Sequence, residues 1–436
     1  LGLPVLALLA GCAGHAEQTR GARTALDEGR PREALNLLNK QLDVDSAKDV
    51  PTKVAGDKVL FVLDRAVVEQ QLDMYAYSSR DLELADKQVE VLDFSRSTLD
   101  DIGKYIFSDN SGPYQAPPYE KLLINTVNMM NYLARRDLNG AKIEARRFAV
   151  MQQFISQHKG LGKSMSGPGS YLSGFIFEKS NQPGEALRYY DEALEYGSYQ
   201  SLAEPLSRLT KLDPYQTPRI REVLKGAGAD AANADWGDLL VIVNYGRVPA
   251  KIANRVPIGL ALTIAALYMS PAQTSRANYL AAQGLVTWVN YPSLGKPHGE
   301  YDVPEFILDE RQLPLEGMLA VDAEAKRAWK DVEGAVVASA ITRLLTRVVA
   351  GETTRRAAGG GLVGALLSLG AQATLTAVDT PDTRSWSTLP ARIAFGRTRV
   401  APGRRVIRLR VRGTEKRQVV DIPKGGWAVV TLTVLR

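Results

Sequence analysis

The spacing of apolar positions changes period along the chain, and each change marks an element border. From residue 17 to about 225 apolar residues recur three and four apart, the period of helices with one buried face. Three segments there share one grammar: a helix, a short polar turn, and a second helix opening on Ala. They are Glu28-Gly-Arg-Pro-Arg-Glu-Ala34, Arg136-Asp-Leu-Asn-Gly-Ala141 and Asn181-Gln-Pro-Gly-Glu-Ala186. Around the last, Gly174, Phe177, Ala186, Tyr190 and Ala193 fall at tetratricopeptide (TPR) spacing, with small residues where two helices touch and large ones between them. A weaker unit is placed with its turn at Arg80-Asp81 and Ala85 as its small residue. The Ala-to-Ala spacings of 51, 56 and 45 residues make the repeats irregular. Residues 17–225 are therefore predicted to form a TPR-like α-solenoid. Lys159 to Ser170 reads as a Gly/Ser-rich connector inside it.

A Gly, Ala and Asp linker follows at 226–235, and the period then shortens. Leu239 to Tyr245 reads as a buried strand, with Arg255 to Leu260 and Tyr301 to Leu308 as candidates to pair with it. Asp322 to Val349 returns to helix, with Trp329, Val332, Val336, Val337, Ile341, Leu344, Leu345 and Val348 as its apolar stripe. Ala357 to Val378 carries no charge over 22 residues and holds Gly360 and Gly364 as a GxxxG. From Pro390 to Arg436 apolar and basic residues alternate like strands, broken by turns at Ala401-Pro-Gly403 and Pro423-Lys-Gly-Gly426. The expected fold class is α+β, predominantly α. It comprises the solenoid, a mixed strand and helix region (236–350), a Gly-rich apolar helical segment (351–380) and a small basic β-sandwich or sheet module (384–436).

The N-terminus adds an address. Leu1 to Ala10 is apolar but too short to span a bilayer, and fits the core of a secretory signal peptide ending at residue 11. Leu9-Ala10-Gly11-Cys12 then reads as a lipobox, and Cys12 is the only cysteine of the chain. Small residues admit the peptidase, and the thiol takes the diacylglycerol. Residues 12–16 form the expected lipidated N-terminus, whose several acyl chains anchor stably. Ala13 rather than Asp after the cysteine favours the outer membrane, with the body on its periplasmic face.

That compartment changes how charge is read. The net charge is +6, but Arg384 to Arg436 holds thirteen Lys/Arg and two acids. With no nucleic acid in reach, Arg404, Arg405, Arg408, Arg410 and Arg412 become candidate contacts for anionic lipid, lipopolysaccharide or peptidoglycan, since the guanidinium fork suits phosphate and carboxylate.

Several stretches together resemble an uncharacterised family of TPR-containing envelope lipoproteins of Gram-negative bacteria. They are Pro118-Tyr-Glu-Lys121, Asn131-Tyr-Leu-Ala134, Ala141 with Glu144-Ala-Arg-Arg147, and Asp382-Thr-Arg-Ser-Trp-Ser-Thr-Leu-Pro-Ala-Arg392. The resemblance spans most of the mature chain. It implies an envelope lipoprotein, some relatives being encoded beside outer-membrane activators of peptidoglycan synthases, and carries no catalytic residues over.

Candidate chemistry is sparse. Gly160-Leu-Gly-Lys-Ser164 resembles the end of a phosphate-binding loop, but Gln157 stands where its first Gly belongs. One cysteine and three scattered histidines, His15, His158 and His298, give no metal spacing. No enzyme activity, cofactor or metal is expected. Tyr119, Glu120, Glu144, Arg146 and Arg147 are candidate contacts for a charged partner, against the alternative of ion pairs between stacked helices. Tyr114, Tyr189, Tyr190 and Tyr199 line a peptide groove or pack between helices. The function expected is an outer-membrane-anchored interaction scaffold in envelope assembly. The alternative is an oligomeric ring or pore that inserts 357–378.

Overall fold

The computed structural model describes residues 14–90, 114, 116, 118–156, 165–225, 233, 235–299, 302–357 and 381–436. Cys12, the 160–164 loop and the uncharged 358–378 stretch lie outside them.

The first half folds as stacked helices: α1 (His15–Gln18), α2 (Arg20–Asp27), α3 (Pro31–Gln41), α4 (Lys58–Gln71), α5 (Tyr75–Glu90), α6 (Pro118–Ala134), α7 (Leu138–Ser156), α8 (Ser166–Lys179), α9 (Pro183–Tyr196), α10 (Ala203–Leu209) and α11 (Pro218–Lys225). Successive helices pack as α2 on α3, α4 on α5, α6 on α7 and α8 on α9. Three of the turns fall where the sequence placed them, and Pro31 and Pro183 open their helices, where the missing N–H costs nothing. The Arg80-Asp81 turn is corrected: both residues lie inside α5, and the chain reverses at Asp73, whose φ is +59°. Part of the expected Lys159–Ser170 connector is also helix. Ser166 to Ser170 forms the buried first turns of α8, because small residues let neighbours close in. A Cβ at Gly169 would stand 2.0 Å from the Phe148 ring.

The second half is built from two four-stranded sheets. The strands are β1 (Gly237–Tyr245), β2 (Lys251–Pro257), β3 (Trp288–Leu294), β4 (Glu305–Leu308), β5 (Arg311–Leu313), β6 (Glu316–Ala320), β7 (Arg392–Val400), β8 (Gly403–Val411), β9 (Thr414–Ile422) and β10 (Trp427–Val434). One sheet has the order β10-β1-β7-β6, the other β5-β4-β8-β9. The expected pairing of β1 with neighbouring segments is corrected. β1 pairs parallel with β10 and antiparallel with β7, while β2 pairs with β3 and β4 with β5 and β8. The C-terminal strands therefore do not close into a module of their own: β7 and β10 complete one sheet around β1, and β8 and β9 join β4.

Every residue of β1 is buried, because the first sheet has a layer on each face. Leu239, Val241, Val243 and Tyr245 point to the second sheet, beside Ile407, Leu409 and Leu432. Leu240 and Ile242 point the other way, into the core shared with the helices. The result is three layers, helices over sheet over sheet, in a mixed α+β chain that is mostly helical.

A satellite lies to the side. Here the β2–β3 ribbon packs with α12 (Ile258–Ala265), α13 (Pro271–Ala282) and α14 (Val321–Ala357). Trp329, Val336, Val337, Ile341, Leu344 and Leu345 of the expected stripe fill its core. Among the described residues no helix is long and apolar enough to cross a membrane.

Candidate functional site

Polar side chains are buried where the helical layer meets the first sheet. Burying them is costly unless each is paired, so their partners show what the interface is built to hold.

The densest group centres on Arg397 of β7. Its guanidinium is buried, lies over the Phe175 ring, and donates to Tyr190 Oη at 2.8 Å, Glu178 Oε1 at 2.9 Å and Asp238 Oδ1 at 3.1 Å. Lys179 and Arg208 close on the same carboxylates. Burial disfavours the charge on Glu178, but Arg397, Lys179 and Arg208 outweigh it and hold the carboxyl well below its usual range. A second chain of bonds runs from Ser78 through Asn131 and Gln70 to Asn244 and Thr433, joining α5, α6 and α4 to β1 and β10.

The third group gathers on the 382–389 stretch, which is buried throughout though it is neither helix nor strand. Trp386 is wholly buried. Arg384 pairs with Asp382 and Asp57 at 2.9 Å. Asp64 of α4 accepts from Ser387 Oγ at 3.0 Å, Thr388 N at 2.9 Å and Thr388 Oγ1 at 3.0 Å. His15 Nε2 stands 3.4 Å from the same carboxylate. A nucleophilic serine hands its proton to histidine. Here Ser387 donates to the aspartate and histidine flanks it, so the geometry fastens the N-terminal helix and the loop to α4.

The sequence-predicted partner residues divide. Glu120 and Glu144 are buried, which corrects their reading as a partner surface. Glu120 accepts from Tyr114 Oη, and Glu144 accepts from Asn125 Nδ2 at 3.0 Å and Arg147 Nη1 at 3.2 Å. Arg147 also reaches Asp86 on α5 at 3.5 Å. These are the inter-helix contacts that were the alternative. Arg146 alone of the charged set is exposed, and Tyr119 stands at the second position of α6. Tyr114, Tyr189, Tyr190 and Tyr199 are all buried, so they pack rather than line an open groove.

Glu120 is expected to make the interface pH-sensitive. Burial raises its pKa to about 7, against the Tyr114 hydrogen bond and the charge of Lys251. A raised carboxyl costs nothing below the unfolded value and its full penalty above the folded one. Stability is therefore expected to fall by about 3 kcal/mol as pH rises from about 4.5 to about 7. Glu178 and Asp238, both lowered, act below that window with the opposite sign. Denaturant midpoints across this range should drop in the wild type and stay flatter in Glu120→Gln. Parallel profiles would refute the assignment.

The five sequence-predicted arginines do not converge. Arg405 reaches Asp309 at 3.2 Å, Arg410 pairs with Glu415 and Glu305, and Arg412 with Asp302. Arg404 stands opposite Asp421 and Arg408 opposite Arg417 on the outer face of the second sheet. Most are a solvated, self-paired strand face.

A cluster that the sequence did not suggest does converge. Arg20, Arg23, Thr24 and Asp27 of α2, Arg247 after β1, and Lys296 and His298 after β3 line a cleft of about 270 Å³. These residues are spread over 279 positions, so no local spacing could have announced them. Among the described residues no group of three or more His, Cys, Asp or Glu could hold a metal ion.

No family model, curated protein or solved structure matches the chain.

Proposed function

We propose that this chain is an interaction scaffold of the cell envelope, anchored to the outer membrane at Cys12 and presenting its body to a protein partner in the periplasm. The helix pairs are read as TPR-type. Supporting that reading, a Cβ at Gly174 would meet the Tyr190 ring at 2.4 Å, the small-against-large contact expected between paired helices. The resemblance to envelope lipoproteins supports the address.

The partner reading rests on the satellite. Helix α12, Ile-Gly-Leu-Ala-Leu-Thr-Ile-Ala, has no charge, and a helix apolar all round is ordinarily covered. Ile258, Ala261 and Ala265 are buried, while Leu260 and Thr263 lie on a more open face that Leu267, in the 3₁₀ turn Ala266–Tyr268 after the helix, continues. Leu267 is 94% exposed, and Tyr268, Tyr279 and Trp288 of the same satellite are exposed too. A group of exposed apolar residues holding Tyr and Trp marks a contact surface.

A photo-crosslinking residue at Leu267 in intact cells is expected to capture one envelope protein, and the same residue at exposed Leu212 is not. Leu267→Asp should abolish the adduct while changing stability by less than about 0.5 kcal/mol, as surface substitutions do. Capture of a second copy of the chain would favour the ring reading instead. Equal, diffuse adducts at both positions would remove the partner surface.

A further inference from the structure

The cleft between α2 and the ends of β1 and β3 is lined by more cations than acids. Arg20, Arg23, Arg247 and Lys296 line it with Asp27 as the one acid of the lining; Glu17 pairs with Arg20 from outside the cleft, and Asp64 lies behind Arg23 and Arg247. Asp27 is already committed, accepting from Arg247 Nη2 at 2.7 Å and lying 3.3 Å from His298 Nδ1. Arg247 is buried and its second nitrogen donates to the Arg23 carbonyl at 3.1 Å, so the guanidinium is fixed in place. Arg23 turns one nitrogen to the Ala16 carbonyl, and its buried Nε finds no acceptor. Lys296 is exposed and has no ion-pair partner among the described residues.

Neighbouring charges register this excess. Burial first, and then Arg247, Arg412 and Arg23, lower the pKa of His298 against the pull of Asp27. Burial likewise lowers Arg247, with Asp27 and Asp64 pulling the other way and Arg23 adding to the lowering. A bound anion would relieve this repulsion.

We propose that this cleft binds the phosphate group of an anionic ligand. Phosphate suits it better than a single carboxylate. It brings up to two charges and several acceptor oxygens, which matches cations arriving from three segments of chain, two of them forked guanidinium groups on α2. The volume, about 270 Å³, lies just under the roughly 300–1,000 Å³ of drug-sized pockets and so fits a headgroup or small phosphoester.

Placement indicates the source. Gly14, the first described residue, has its Cβ direction 3.2 Å from Thr383 Oγ1, and His15 and Ser387 meet on Asp64, with Ser387 lining the cleft. The cleft thus lies near Gly14, two residues after Cys12 in sequence, and on the proposed anchored reading a phospholipid headgroup is the nearest phosphate. The site itself does not require acylation, so it is testable in the full chain carrying Cys12→Ala.

That protein is titrated with neutral vesicles, with vesicles containing phosphatidylglycerol, and with soluble glycerol phosphate, at low and moderate salt. Saturable binding to either phosphate probe is expected, with vesicle preference identifying a lipid source and glycerol phosphate binding a soluble one. Arg20→Glu with Lys296→Glu, both at exposed positions, should weaken binding at least tenfold with the folded state intact by circular dichroism. Arg404→Glu with Arg408→Glu removes the same formal charge from the second sheet and should leave it within about twofold. Equal losses from the two pairs would reduce the effect to general basicity and overturn the site. So would the absence of binding to both phosphate probes, or equal affinity for acetate.

Discussion

Replacing Arg397 with Ala is expected to destabilise the protein by about 3–5 kcal/mol, the largest single-residue effect in the molecule. The cost comes from what the arginine leaves behind. Glu178, Asp238 and Tyr190 are buried around it, and each accepts a hydrogen bond from its guanidinium. Removing one partner of such a group strands uncompensated charge in a low dielectric. Lys179 and Arg208 remain on the carboxylates and limit the loss without replacing the bond to Tyr190. Arg397→Lys should recover little, since an ammonium cannot serve two carboxylates and a phenol through one planar fork. Combining Arg397→Met with Glu178→Gln and Asp238→Asn should recover part of the loss, because the stranded charges go with it. Denaturant unfolding of the three variants checks the order. Should Arg397→Ala cost under 1 kcal/mol, the network would be a bystander and the helices and sheet would be held by apolar packing alone.

The second large effect is expected at Asp64. Asp64→Ala leaves the Ser387 hydroxyl and the Thr388 amide without their acceptor in a closed interior, and the Thr388 hydroxyl with only the Asp64 backbone carbonyl at 3.2 Å. Each orphaned buried donor costs about 1–3 kcal/mol, and relaxation of the 382–389 loop reduces the sum, so a loss of about 3 kcal/mol or more is expected. Asp64→Asn keeps one acceptor oxygen and should lose less. A local readout separates this from general weakening. Exchange of the Thr388 amide hydrogen, slow in the wild type, should accelerate in Asp64→Ala well beyond the change at Val241 in the middle of β1. Uniform acceleration across both positions would mean that Asp64 does not secure the loop. Because His15 rests on the same carboxylate, the variant also tests whether the N-terminal helix depends on it.

Much of the architecture was legible in the residues. Helix-period apolar spacing announced the helical half, and Pro31 and Pro183 marked helix starts with a local mechanism. The alternation of β7 to β10 and the turn at Ala401-Pro-Gly403 were readable for the same reason, since each depends on residues a few positions apart. The Arg80-Asp81 turn was misplaced because a polar pair in a helical run looks alike whether it sits in a turn or points into a buried network. Here Asp81 receives both Arg65 and Arg80.

What the sequence by itself determined is local: most helix and strand identities, most of the turn residues, the uneven charge, and a single cysteine. Only the tertiary structure decided which charges are buried. Glu120, Glu144 and Arg397 carry formal charges like any exposed neighbour, and their roles follow from elements far along the chain that exclude water from them. The same holds for strand partners, since β1 takes one neighbour from almost 190 residues away. It holds again for the cationic cleft, where Arg23, Arg247 and Lys296 meet only because α2 docks beside the ends of β1 and β3. Period and composition act over a turn of helix or a pair of strands. Electrostatic sites depend on distance through space and on desolvation, and both of these are properties of the folded chain.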